Sequence, residues 1–133
     1  MITTTDIGNI LYRDATALGL DVYQGDNIPQ GDVTEERVHI HVRRIQHETI
    51  WKKCFVNINV LVPDINEYGN EDLVRLQELE RECYSLFKSN TGEYDGTCYT
   101  YSLDEIGIEA ERDLRCHFVS VRILFEQLNL IGK

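Results

Sequence analysis

Two histidines of this 133-residue chain come nearest to the spacing of a metal site. His39 and His41 are one residue apart, so in an extended strand both imidazoles project from one face, where a third ligand could complete a transition-metal site. The residues that alternate with them are all apolar: Val38, Ile40 and Val42. This alternation is typical of the solvent side of a half-buried strand, and His47 and His117 complete no ligand set. We therefore predict solvated histidines, with a small metal-binding module or metal-dependent enzyme as the alternative function.

A second candidate resembles the start of a calcium-binding loop. In Asp64-x-Asn66-x-Tyr68-Gly69 the glycine occupies the sixth position that such loops require. The twelfth position must supply a bidentate carboxylate, but here it is Arg75, and the fifth position is Tyr68. The sequence therefore predicts a loop that ends in a helix cap, with no calcium ion.

A run of carboxylates could hold a pair suited to acid–base catalysis. Its members are Asp104, Glu105, Glu109, Glu111 and Asp113. No histidine or pocket-forming pattern accompanies them, so a solvated loop is the prediction for this stretch.

The four cysteines, Cys54, Cys83, Cys98 and Cys116, form no Cys-x-x-Cys pair and are predicted to be free thiols. Three of them, Cys54, Cys83 and Cys116, fall on predicted apolar faces, where a free cysteine is buried as a small hydrophobic residue. Cys116 and His117 are neighbours on a predicted strand, so their side chains point to opposite faces and cannot pair as thiolate and imidazole. The chain also has no Gly-x-Ser-x-Gly elbow and no glycine-rich phosphate loop. We assign no catalytic, cofactor-binding or metal-ligating residue, and we expect that the protein is not an enzyme and needs no cofactor.

The periodicity of apolar residues predicts the elements that would carry any site. It indicates helices over residues 4–18 and 71–88, a short edge strand at Val22-Tyr23, a hairpin whose strands start at Arg37 and at Ile50, and strands over 98–103 and 114–125. Pro63 ends the hairpin, and residues 89–96 read as a turn-rich connection. Within 114–125 the alternation changes phase, which indicates either a β-bulge or a strand buried on different faces along its length.

This order of elements fits a single α+β domain over residues 1–133, with an antiparallel sheet, a long β-hairpin and two helices packed on one face. Hydrophobic residues at 42% and charged residues at 27% exclude an intrinsically disordered chain. The start of the chain lacks the basic and apolar regions of a signal peptide, so we expect a cytosolic protein.

Charge is unevenly distributed along the chain. The net charge of −10 argues against general binding to nucleic acid or to an anionic membrane. Residues 37–53 nevertheless carry a net charge of +4, which leaves −14 for the remainder. The interface candidates on this basic hairpin are Arg43, Arg44, Lys52 and Lys53, which we expect to dock on the acidic surface of an identical neighbour.

The layout as a whole resembles the tail-terminator or tail-completion proteins of long-tailed bacteriophages, a group that includes minor tail and head–tail joining proteins. The resemblance lies in the first helix with Ile7, Ile10, Leu11 and Leu18, in Val22-Tyr23-x-Gly25-x-x-Ile28-Pro29-Gln30, in Glu36-Arg37-Val38-x-Ile40, in the strand 55–60, in the helix 73–87 and in the strand 115–125. It covers nearly the whole chain.

This resemblance implies a structural subunit that assembles into a homo-oligomeric ring, commonly a hexamer. The ring would terminate the tail tube of a phage or prophage, with the tail-tube protein and the head-connector protein as partners. DNA would pass through an acidic lumen without specific binding. The resemblance also implies a location in the bacterial cytoplasm during virion assembly and then in the virion tail, with no membrane partner.

Overall fold

A computed structural model of the chain describes residues 1–48 and 50–128. It contains two α-helices and six β-strands: α1 (Thr4–Ala15), β1 (Asp21–Gln24), β2 (Arg37–His47), β3 (Trp51–Pro63), α2 (Leu73–Phe87), β4 (Ser89–Tyr94), β5 (Thr97–Glu111) and β6 (Cys116–Leu128). Short 3-10 turns follow α1 at Thr16–Leu18 and β5 at Arg112–Leu114. Within these residues, no helix combines the length and the apolar character needed to cross a bilayer.

The six strands form one mixed sheet in the order β1-β2-β3-β6-β5-β4. β1 pairs with β2 in parallel, and the other neighbours pair antiparallel. The predicted α+β class, the long hairpin and the short edge strand are confirmed. Pro63 is the last residue of β3, as predicted.

Both helices begin at side-chain caps. Thr3 caps α1 by accepting a hydrogen bond from the Asp6 amide, and the Asp6 carboxylate accepts one from the Thr3 amide in return. Asp72 caps α2 by accepting from the Arg75 amide at 3.2 Å. The cap predicted after the calcium-like segment is therefore present.

The two helices share one hydrophobic core on one face of the sheet. α1 contributes Ile7, Ile10, Leu11 and Ala15, and α2 contributes Leu76, Leu79, Cys83 and Phe87. Alternate residues of β3 and β6, including Ile58 and Val121, complete this core. The opposite face of these strands carries Asn57, Asn59, Ser120 and Arg122, so the sheet has one face without helices.

Two predictions about connections are wrong. The segment expected as a turn-rich connection contains strand β4, and the acidic segment expected as a solvated loop is strand as far as Glu111. β4 alternates between exposed and half-buried residues because it lies at the sheet edge, where polar side chains are tolerated. The acidic segment stays extended because it pairs with β6 from Glu105 to Glu111.

The change of phase near the end of the chain reflects a strand that is buried on different faces. β6 pairs with β3 without a shift of register from Cys116 to Leu128, so no bulge separates the two patterns. Cys116 packs with Val33 and Leu61 in a second, smaller cluster on the face opposite the main core. Of the two alternatives, a β-bulge and a strand buried on different faces along its length, the structure therefore shows the second.

Candidate assembly surfaces

The predicted basic interface residues lie at one end of the β2–β3 hairpin. Arg43 and Arg44 are exposed, and they sit where the register of β2 shifts between Val42 and Ile45. β1 pairs only with residues 37–40 of β2, so residues 41–47 form an uncovered strand edge among the described residues. Neither arginine forms an ion pair with the described part of the chain.

Lys52 and Lys53 lie one strand further in. β3 is flanked by β2 on one side and by β6 on the other, so these lysines are not on a sheet edge. The Lys53 Nζ atom is 3.4 Å from Glu48 Oε2, and Lys53 is level with Glu126 of β6. Of the four predicted interface residues, the two arginines are therefore the ones at an edge.

An acidic edge lies on the other side of the sheet. β4 covers β5 only as far as Ser102, so residues 104–111 form a second uncovered edge within the described residues. Its four carboxylates are Asp104, Glu105, Glu109 and Glu111. Asp104 lies 3.5 Å from Arg122, whereas Glu105 and Glu109 form no ion pair with the described residues.

The helix-free face between these edges is polar and concave. A depression of about 620 Å³ lies over Asn57, Asn59 and Ser120, at the level of Gly107. At one side of it, the Arg122 guanidinium stacks 4.0 Å above the centre of the Phe55 ring. This arrangement agrees with the polar pattern of β3.

The histidines do not all lie where the sequence predicted. His39 is on the face opposite Val38 and Ile40, as expected, but it is buried rather than solvated, with 5% of its surface exposed. Arg37 Nε donates a hydrogen bond to His39 Nε2 at 3.0 Å, and the Tyr23 ring packs edge-on against the imidazole. Burial, reinforced by the Arg37 charge, lowers the pKa of His39 to about 4.

This environment is a poor one for a metal ion. The Nε2 lone pair of His39 is already used by a guanidinium, whose charge would repel a cation. No group of three or more histidine, cysteine or acidic side chains is arranged to hold a metal within residues 1–48 and 50–128. The His-x-His pair thus has no third ligand in the described structure.

A cluster in which His117 contacts two carboxyl groups lies at the start of β6, and sequence analysis missed it. His117 Nδ1 is 2.7 Å from Asp64 Oδ1, and His117 Nε2 is 3.2 Å from Glu71 Oε2. The His117 and Asp64 side chains are only 8% and 6% exposed. The cluster fastens the loop before α2 to the sheet. Sequence spacing could not reveal it, because Asp64 and His117 are separated by 53 residues.

The segment that resembles a calcium loop is organised by protein groups. Asn66 Oδ1 accepts hydrogen bonds from the amides of Tyr68 and Asn70, at 3.0 and 3.3 Å. The Arg75 guanidinium, at the twelfth position, forms a bidentate ion pair with Glu36 instead of leaving room for a cation. The prediction against a calcium site at this position is thus supported by the local contacts.

The cysteines are free, and three of the four are buried as predicted: Cys54, Cys83 and Cys116. Burial raises the pKa of the Cys54 and Cys116 thiols to about 11 and that of Cys83 to about 12, so all three remain protonated near neutral pH. Cys98, the one cysteine that lies on no predicted apolar face, is exposed on β5.

Comparisons with known proteins establish the fold only. No protein-family model matches the chain, and no curated protein matches it in sequence. One solved structure superposes with a TM-score of 0.65 at 11% identity, and the match covers 100% of both chains. The fold of the chain therefore recurs in a protein of low sequence identity.

Proposed function

We propose that the chain is a structural subunit of a phage or prophage tail, which forms a ring that terminates the tail tube and joins it to the head connector. The observation that carries this proposal is the separation of charge on the sheet. An uncovered basic edge and an uncovered acidic edge lie on opposite sides of one six-stranded sheet. Two different, complementary surfaces on one subunit favour head-to-tail association, which closes into a ring when the rotation between neighbours permits it.

The layout expected of the tail-terminator family supports the same proposal. The opening helix, the edge strand, the long hairpin, the second helix and the closing strand occur in the expected order. The net charge of −14 outside residues 37–53 suits a channel through which DNA passes without binding, because like charges repel the phosphate backbone. The tail-tube protein and the head-connector protein are the proposed partners, and the proposed site of action is the bacterial cytoplasm and then the virion.

Two experiments test the proposal at different levels. Light scattering over a range of protein concentrations, at low and high salt, measures whether the subunit forms a closed oligomer, and negative-stain electron microscopy shows whether that oligomer is a ring with a central channel. Deletion of the gene in the phage or lysogen that encodes it should yield heads separated from tails and tails of unregulated length. Normal virions in the deletion strain would overturn the proposed function.

A further inference from the structure

We infer that neighbouring copies join edge to edge by β-strand pairing, with residues 41–47 of β2 in one copy paired to residues 104–111 of β5 in the next. This inference rests on the proposed ring function and names its contact. Both segments are extended, and each lacks a strand partner on its outer side within the described residues. Such an edge presents a row of backbone donors and acceptors that a strand of another chain can satisfy.

The two edges match in length. Seven residues of β2 and eight residues of β5 are uncovered, which at about 3.3 Å per residue gives edges of about 23 and 26 Å. β2 runs antiparallel to β3, β3 to β6 and β6 to β5, so β2 and β5 of one copy run in opposite directions. Copies arranged side by side in the same orientation would therefore pair these strands antiparallel.

The charges of the edges make this pairing selective. Arg43 and Arg44 meet a strand that carries Glu105 and Glu109, and none of these four has an ion-pair partner in the described part of its own chain. Two basic edges would repel each other, as would two acidic edges. The only attractive combination joins the β2 edge of one copy to the β5 edge of another, so association is head to tail.

The short edge strands leave room for the neighbour. Through the register of the sheet, Ile40 of β2 is level with Ile106 of β5. Taking the direction in which β2 runs as upward, the uncovered part of β2 lies above this level and the uncovered part of β5 lies mainly below it. Each side of the sheet therefore has an edge strand, β1 or β4, along only part of its height. When His41 is placed opposite Glu111 of the neighbour, β1 lies beyond the end of the neighbouring β5, and the neighbouring β4 lies beyond the end of β2.

The shift between neighbouring copies has about the size expected for strands that tilt around a ring. Pairing His41 with Glu111 shifts the neighbour by about six residues, or about 20 Å along the strands. In this pairing only β2, β3, β6 and β5 add to the width of each copy, because β1 and β4 lie beyond the ends of the strands that pair. At about 4.8 Å per strand, these four strands span about 19 Å. The two lengths correspond to a strand tilt of about 46° from the ring axis, close to the upper end of the tilts found in closed β-barrels. A ring with this tilt closes without a rise from one copy to the next.

Charge reversal tests the pairing. R43E/R44E and E105K/E109K are each expected to raise the protein concentration at half-assembly by about tenfold or more, because each places like charges on facing edges. Combining all four substitutions should restore assembly. The matched control R81E/K88E makes the same charge change as R43E/R44E at exposed positions of α2 and just after it, and should assemble as the wild type does.

Cross-linking distinguishes strand pairing from looser charge docking. In a Cys98→Ser background, R44C and I108C combined in one chain should yield a ladder of oligomers with a short bis-maleimide, because these positions face each other in the register given above. Neither single variant should do so. Wild-type oligomers that persist in both reversal variants, or an absence of the ladder, would overturn the edge pairing while leaving a ring possible. A wild-type protein that stays monomeric at low salt would also overturn it, and the gene deletion would then decide the proposed function separately.

Discussion

The buried imidazole of His39 makes the stability of the folded chain depend on pH in a way that can be measured. Its pKa is lowered from 6.5 to about 4, first because the side chain is buried and second because the Arg37 guanidinium lies beside it. A proton on Nε2 would remove the acceptor of the Arg37 hydrogen bond and place two cations in contact. The folded protein therefore keeps His39 neutral at pH values where the unfolded chain binds a proton.

The sign and size of the change in stability with pH follow from the difference in the pKa of His39 between the folded and unfolded states. Above pH 6.5 neither state is protonated at His39 and its contribution to stability is complete. As the pH falls from 6.5 towards 4, only the unfolded state gains the proton, so the free energy of unfolding decreases. Between pH 7.5 and 4.5 the expected loss from this one group is about 2.5 kcal/mol, since each unit of pKa difference corresponds to about 1.4 kcal/mol.

The assay compares urea unfolding of the wild type and of His39→Gln at several pH values between 4.5 and 7.5. Glutamine retains an acceptor for Arg37 but cannot bind a proton, and the carboxylates that also titrate in this range are common to both proteins. As the pH falls, the free energy of unfolding of the wild type should therefore decrease by about 2.5 kcal/mol more than that of the variant. His47→Gln, which removes an exposed imidazole, serves as the control and should follow the wild type. An identical pH dependence in His39→Gln and the wild type would refute the burial argument.

Three further predictions concern packing, the contact between His117 and Asp64, and assembly. Gly92→Ala should lower the free energy of unfolding by about 1–3 kcal/mol in urea unfolding, because its Cβ would lie 2.5 Å from the hydroxyl of the buried Tyr99. His117→Leu should destabilise the fold by about 1–3 kcal/mol and speed proteolysis of the loop before α2, since the buried Asp64 side chain loses its hydrogen-bond partner; unchanged cleavage would contradict this role. For edge pairing, raising the salt from about 0.1 to 1 M should slow association much more than it speeds dissociation in stopped-flow light scattering, because screening acts on approaching charges; equal effects on both rates would contradict it.

The elements with a clear period could be predicted, and the others could not. Helix α2 repeats apolar residues at Leu76, Leu79 and Cys83, and the burial of β3 alternates from Cys54 to Val60, so each pattern matches only one kind of structure. β4 has no such pattern, because a short edge strand with one half-buried face requires few apolar residues. The basic interface candidates were found from charge along the chain, but which of them lie at an edge depends on strand order, which pairing distant in sequence decides.

The position of the charges along β2 and β5 supports a role for them in choosing the neighbour. β5 carries no charged residue from Thr97 to Leu103, where β4 covers most of it, and has four carboxylates from Asp104 to Glu111, where it is uncovered. In β2, the covered part has only Arg37, which is bound to His39, whereas the uncovered part has two exposed arginines. Charge of any sign protects an open edge from aggregation, and one sign on both edges would do so best, because all edges would then repel. When the two edges carry opposite charges, one pairing of edges is attractive. The charges on this sheet therefore favour that one kind of association, whereas equal charges would prevent all association.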